Sequence, residues 1–178
     1  MPLITGRSTV FKTPWFDIVA KQTDGGDAPY YSLRMRDYVS VIAFTPRQEI
    51  LLVRQYRPAV ERYTLELPSG LVEEDETPEQ TARRELEEET GYRSDGMELL
   101  GVLLPDTGRL ANRLWCYFAA MVTPSNGCHN PEPGIEPVLI HRTALLDLIA
   151  KGEFNHALNL GVLALGLAKR GPELFGVG

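Results

Sequence analysis

Residues 73–89 hold nine carboxylates (Glu73, Glu74, Asp75, Glu76, Glu79, Glu85, Glu87, Glu88 and Glu89) against two basic residues, Arg83 and Arg84. The segment nets −7 while the whole chain nets −6, so the remaining residues sum to about +1. This is one acidic site on a nearly neutral body. Carboxylates about 5.5 Å apart repel by roughly 3 kcal/mol at an effective dielectric near 20. A helical ion pair such as Arg84 to Glu88 returns only about 0.2–0.5 kcal/mol. A partly buried cluster of this kind calls for a cation, and oxygen-only ligands favour Mg²⁺ or Mn²⁺ over a softer metal. The chemistry that such a centre serves is hydrolysis of a phosphate anhydride. On charge alone, a solvated acidic helix face explains the same residues.

The elements that must position these carboxylates are legible around them. Thr77-Pro78-Glu79-Gln80 has the form of a capping box, with Pro78 at the first helical position where no amide partner is lost. Good helix formers then run to Gly91, which suits a left-handed cap. At roughly 100° per residue Glu85, Glu88 and Glu89 share one face. Ala82 and Leu86 lie beside them on a face fit to pack on a sheet, and Arg83 and Glu87 point toward solvent.

The spacing is more specific than the charge. Gly70, five residues, Glu76, seven residues, Arg84-Glu85-Leu86, one residue, Glu88-Glu89, one residue, Gly91 and a bulky residue resembles the Nudix hydrolase signature over residues 70–92. Tyr92 is its one soft departure, at a position usually aliphatic. The resemblance implies an α+β fold: a Nudix α/β/α sandwich with a mixed sheet and additional N-terminal antiparallel strands. It implies two or three Mg²⁺ (or Mn²⁺) ions on Glu85, Glu88 and Glu89 with the backbone carbonyl of Ser69, braced by Arg84 and Glu76.

The flanks narrow the resemblance. Leu51 to Pro58, with Gln55-Tyr56-Arg57 at its end, and Glu66-Leu67-Pro68-Ser69-Gly70 look like the ADP-ribose pyrophosphatase and nucleoside diphosphate sugar hydrolase branch. Ser69 stands where that branch usually has Ala. The branch implies a homodimer through residues 8–40 and a pocket borrowing residues from both subunits. Arg57 matches an arginine on the substrate's phosphates or distal sugar, a role that suits a guanidinium; a strand-end surface charge is the plainer explanation. Trp15 would stack on a nucleobase, or else belong to core or dimer interface. Asp106, Arg109 and Asn112 occupy a loop that would face the substrate, or an ordinary polar turn. The proton of the attacking water needs a base outside the metal ligands, and the branch draws it from a later loop, where Glu132 and Glu136 are the candidates.

The reaction implied is hydrolysis of a nucleoside diphosphate sugar, ADP-ribose foremost, to a nucleoside monophosphate and a sugar phosphate. Other nucleotide substrates (GDP-mannose, a dinucleoside polyphosphate, an oxidised nucleoside triphosphate) and a non-catalytic nucleotide-sensing module are the alternatives. The intact Glu85, Glu88 and Glu89 argue against the sensor. The lack of a basic, aromatic-rich stretch argues against nucleic acid.

Length and composition agree with one Nudix domain over residues 1–178: a 178-residue chain that is 43% hydrophobic can bury one good core. No apolar run approaches 18 residues, so no membrane span is expected. The N-terminus lacks the pattern of a secretory signal, and a cytoplasmic protein with Cys116 and Cys128 as reduced structural thiols is the expectation. Strands are expected in Thr9–Ala20, interrupted by Pro14, and in Tyr30–Arg36, Val39–Thr45, Ile50–Tyr56, Met97–Leu103, Arg113–Val122 and Val138–His141. Two helices follow, Ala144–Lys151 capped by Thr143 and about His156–Arg170 capped by Asn155 and ended by Gly171. Pro124–Gly134 reads as a mobile loop.

Overall fold

The computed structural model describes residues 2–125 and 132–176. Cys128 and most of the Pro124–Gly134 loop lie outside the described residues. The apolar N-terminal run is cut in two at Thr13-Pro14-Trp15-Phe16, where the Thr13 hydroxyl accepts from the amides of Trp15 and Phe16 and closes a turn. The result is an antiparallel meander of β1 (Ile4–Lys12), β2 (Asp17–Thr23) and β3 (Gly26–Arg34). It meets the rest of the protein where the Leu33 amide donates to Arg109 O and Leu33 O accepts from Ala111, at 2.8 and 3.0 Å.

The central sheet is mixed. β4 (Tyr38–Ala43) pairs in parallel with β10 (Leu114–Ala119) and antiparallel with β7 (Ser69–Leu71), and β9 (Glu98–Leu103) closes the far edge. A second sheet sets β5 (Glu49–Arg57) between β6 (Arg62–Glu66) and β12 (Ile135–His141). The two-residue strands β8 (Tyr92–Arg93) and β11 (Thr123–Pro124) pair with each other. The helices are α1 (Pro78–Thr90), α2 (Leu145–Ala150) and α3 (Ala157–Arg170).

Strand alternation explains the layers, because successive side chains leave opposite faces of a sheet. Val39, Val41 and Ala43 of β4, with Tyr117 and Ala119 of β10, pack on Ala82 and Leu86 of α1. Ile42, Phe44, Leu114, Cys116 and Phe118 turn the other way, onto Leu145, Phe154, Val162 and Leu163. Sheet between α1 on one side and α2 and α3 on the other is the expected α/β/α sandwich, with the antiparallel N-terminal strands added to it. Among the described residues no helix is long and apolar enough to cross a membrane.

Some boundaries differ from expectation. Thr143 does not cap α2: a 3₁₀ turn, Arg142–Ala144, intervenes, and the Thr143 hydroxyl bonds His141 Nδ1 instead. The cap of α3 is His156, whose Nδ1 accepts from the Asn159 amide, while Asn155 turns back to Gly152 O. β12 begins three residues earlier than its apolar run because Pro137 is tolerated on an edge strand. Arg83 is not simply solvated; it holds Ser94 O and Glu79.

Candidate active site

α1 starts and stops where its residues dictate. The Thr77 hydroxyl accepts from the Gln80 amide at 3.3 Å, Gln80 Oε1 accepts from the Thr77 amide at 2.8 Å, and Gly91 ends the helix at φ 75°. Burying Ala82 and Leu86 under the sheet fixes the rotation of the helix, which carries Glu89 inward, Glu85 to the boundary and Glu88 to the surface. The Ser69 amide donates to Glu89 Oε2 at 2.9 Å. The Glu85 carboxylate lies directly over Gly70, where a Cβ would collide with it. The loop and the helix are thus in direct contact, and a side chain at residue 70 would require the Glu85 carboxylate to move.

Arg84 organises the rest. Its Nε and Nη2 grip both oxygens of Glu76 at 2.8 and 2.9 Å, and its Nη1 donates to Glu85 Oε1 and Glu88 Oε2, each at 2.8 Å. The fork-on-carboxylate geometry holds Glu76 down to about 2, helped by the Thr81 hydroxyl, and keeps the Arg84 guanidinium firmly charged. Glu89 is the opposite case. Burial pushes its carboxyl up to about 8 against the pull of the Ser69 amide, and repulsion from Glu85 and Glu132 adds to the rise. Glu85 is raised too, by burial first, although Arg84 opposes it.

Among the described residues no three His, Cys, Asp or Glu side chains stand gathered as a ready cation cage. The reason is local: Arg84 Nη1 sits between Glu85 and Glu88, and Glu89 is turned onto the Ser69 amide. The donor set nonetheless fits a hard divalent cation. All the ligands are oxygens, and Glu89 is a buried carboxylate with no cationic side chain hydrogen-bonded to it among the described residues.

Beside this cluster a cleft of about 360 Å³ is lined by Trp15, Met35, Tyr38, Ser69, Gly70, Arg57 and Glu66, with His156 and Asn159 of α3. Trp15 stands at this cleft and is 68% exposed, so it is not a core residue of the chain. Arg57 is no free surface charge: its Nε and Nη2 grip Glu66 at 2.9 and 2.7 Å. Burial alone would raise Glu66, but the bonds from Arg57 and Thr64 outweigh it and leave the carboxyl below its usual value. Glu132 is near enough to act on Glu85 and Glu89, whereas Glu136 pairs across the strands with Arg54 at 3.2 Å. Asp106 accepts from the Gly108 amide, and Arg109 bonds the Tyr30 hydroxyl against β3. Neither lines the cleft of its own chain. Asn112 is buried and donates to Arg36 O. Sequence reasoning assigned no role to Glu66, His156 or Asn159. Alternation with Tyr63 and Leu65 would put Thr64 and Glu66 on the polar face of a strand, so nothing in the sequence said that Glu66 is buried or that this segment meets α3.

A sandwich carrying a braced carboxylate helix against a Ser-Gly loop presents oxygen donors of the kind a hard divalent cation takes. The NUDIX domain profile matches residues 34–152, and the chain belongs to the Nudix hydrolase family. It is 36% identical over 148 residues to the ADP-sugar pyrophosphatase of Mus musculus, covering 74% of this chain and 66% of that one. It is 40% identical over 89 residues to the methanol dehydrogenase activator of Bacillus methanolicus, covering 47% and 48% of the two chains. With the ADP-ribose pyrophosphatase of Bacillus subtilis it shares 52% identity over 54 residues, 30% and 29% of the respective lengths. The chain therefore matches about a third to two-thirds of the length of these relatives. The crystal structure of an ADP compounds hydrolase superposes with a TM-score of 0.78 at 23% identity, over 94% of this chain and 92% of that one, and shares the fold.

Proposed function

We propose that this protein hydrolyses the pyrophosphate bond of a nucleoside diphosphate sugar, ADP-ribose foremost, to a nucleoside monophosphate and a sugar phosphate. The observation that carries the reading is a cleft that holds the Arg57 fork and Trp15 together with Ser69, whose amide bonds the buried Glu89. The names of the mouse and Bacillus subtilis relatives support the substrate class.

Glu85, Glu88, Glu89 and the Ser69 carbonyl would hold two or three Mg²⁺ or Mn²⁺ ions. When bound, these ions neutralise the diphosphate and activate water for in-line attack on phosphorus. Arg84 and Glu76 keep the ligands aimed at the cleft. Arg57 orients the diphosphate with a planar cation, and Trp15 offers a ring face to the base. Glu132 takes the proton of the attacking water; its influence on both Glu85 and Glu89 favours it over Glu136, which Arg54 engages.

The chain works as one Nudix unit and pairs as a homodimer through the N-terminal meander. In that dimer Asp106 and Arg109, which do not line their own cleft, serve the partner's. The substrate is a small nucleotide rather than nucleic acid, and the reducing cytoplasm suits the buried, free Cys116. The test is a panel of diphosphate sugars with Mg²⁺ scored for released nucleoside monophosphate. ADP-ribose should lead the panel. Nucleotide binding with no Mg²⁺-dependent release from any member would make the protein a sensor instead.

A further inference from the structure

Arg57 and Glu66 stand on the same face of neighbouring antiparallel strands. In β5, Gln55 and Arg57 turn inward while Arg54 and Tyr56 are exposed; in β6, Glu66 is buried and Tyr63 exposed. Arg57 folds back along β6 and sets Nε on one Glu66 oxygen at 2.9 Å and Nη2 on the other at 2.7 Å. The Thr64 hydroxyl adds a third bond, at 2.6 Å. Glu66 has only 1% of its surface exposed, whereas the Arg57 side chain keeps 43% and opens on the cleft.

An ion pair with its carboxylate buried is a poor source of net stability, because the desolvation of Glu66 offsets much of the attraction. What it yields is geometry. Two parallel bonds fix the plane of the guanidinium and spend only two of its five donor hydrogens. Glu66 also opens a short strap that is fastened further along. The Leu67 amide donates to Asn159 Oδ1 at 2.9 Å, and the Ser69 amide donates to Glu89 at 2.9 Å. The partner of Arg57 and a partner of α1 therefore lie three residues apart on one held segment.

We propose that Glu66 is the positioning residue that aims Arg57 at the diphosphate of the substrate, and that the Glu66–Ser69 strap sets how far that guanidinium stands from Glu89. The inference rests on the reading above that Arg57 meets a diphosphate. It adds a specific claim: Glu66 acts on substrate only through Arg57.

The experiment compares wild type, Glu66→Gln, Arg57→Ala and the double variant. ADP-ribose binding is measured by calorimetry in EDTA, and AMP release is measured separately with Mg²⁺. Each single variant should weaken binding by about 10-fold, with KM rising in parallel and kcat changing by less than about threefold, as loss of a charged hydrogen bond predicts. The double variant should bind no worse than Arg57→Ala alone. Thr64→Val removes only the hydroxyl behind Glu66 and covers the case in which Glu66→Gln does not fold. It should cost about threefold in affinity in the wild-type background and nothing in the Arg57→Ala background. Wild-type affinity in Glu66→Gln, single losses that multiply in the double variant, or no ADP-ribose binding by wild type would each overturn the proposal. The predicted binding pattern without AMP release would leave the positioning role standing and defeat the hydrolase reading instead.

Discussion

Glu89 is the carboxylate of α1 that the fold treats most severely, since it is 4% exposed and faces the Ser69 amide. Its folded-state pKa of about 8 lies above the ordinary carboxylate value. The linkage sign follows: its protonated form is favoured in the folded state, so its contribution to stability is full below about pH 4.5 and is lost as pH rises through about 8. In EDTA the melting temperature should fall across that window, and Glu89→Gln should flatten the fall. The same substitution should lower turnover by more than about 100-fold, as should Glu88→Gln, because each removes ligand charge. A wild-type rate at saturating Mg²⁺ in either variant would remove the metal site from these residues. Glu132→Gln should reduce kcat by about 10²–10⁴-fold with Mg²⁺ affinity nearly unchanged, since a base and a ligand are separable losses. Normal rates and an unaltered pH profile in both Glu132→Gln and Glu136→Gln would mean that this loop supplies no base.

At the level of elements, the site is a contact between a helix and a loop, and Gly70 is where they touch. Gly70→Ala would drive a methyl into the Glu85 carboxylate, which cannot retreat freely because Arg84 holds it. The variant should keep its circular dichroism but lose about 1–3 kcal/mol of stability and most of its activity, since the displaced ligand is no longer aimed. Activity and melting temperature equal to wild type would show that Glu85 can turn aside without cost. α1 was readable in advance because its signals are local: Thr77, Pro78, Gln80 and Gly91 act within one turn of each end. The caps of α2 and α3 misled for the same reason. Thr143 and Asn155 are good cap residues by type, but a 3₁₀ turn takes the first position and the chain's approach to α3 hands the second to His156.

For the whole molecule, the N-terminal meander exposes Val10, Phe11, Tyr30 and Tyr31, each 44–56% accessible, on a sheet that meets the body through Leu33. Apolar edge strands of this kind invite covering. Sedimentation at micromolar concentration should give a dimer, and an Arg109→Ala subunit mixed with a Glu89→Gln subunit should regain activity if the cleft of one is served by the loop of the other. A monomer with full activity would defeat both expectations.

What the sequence determined by itself was everything carried by short-range spacing: the capped helix, its carboxylate face, the brace from Glu76 to Arg84, and the family these define. Tertiary structure alone decided which distant side chains meet. That Glu66 is the partner of Arg57 depends on the register of β5 against β6, and that Asn159 holds Leu67 depends on α3 crossing the chain 92 residues away. That Glu136 meets Arg54 likewise depends on the register of β12 against β5. Helix caps and helix faces are written in neighbouring residues, whereas a cleft is closed by segments that only packing brings together.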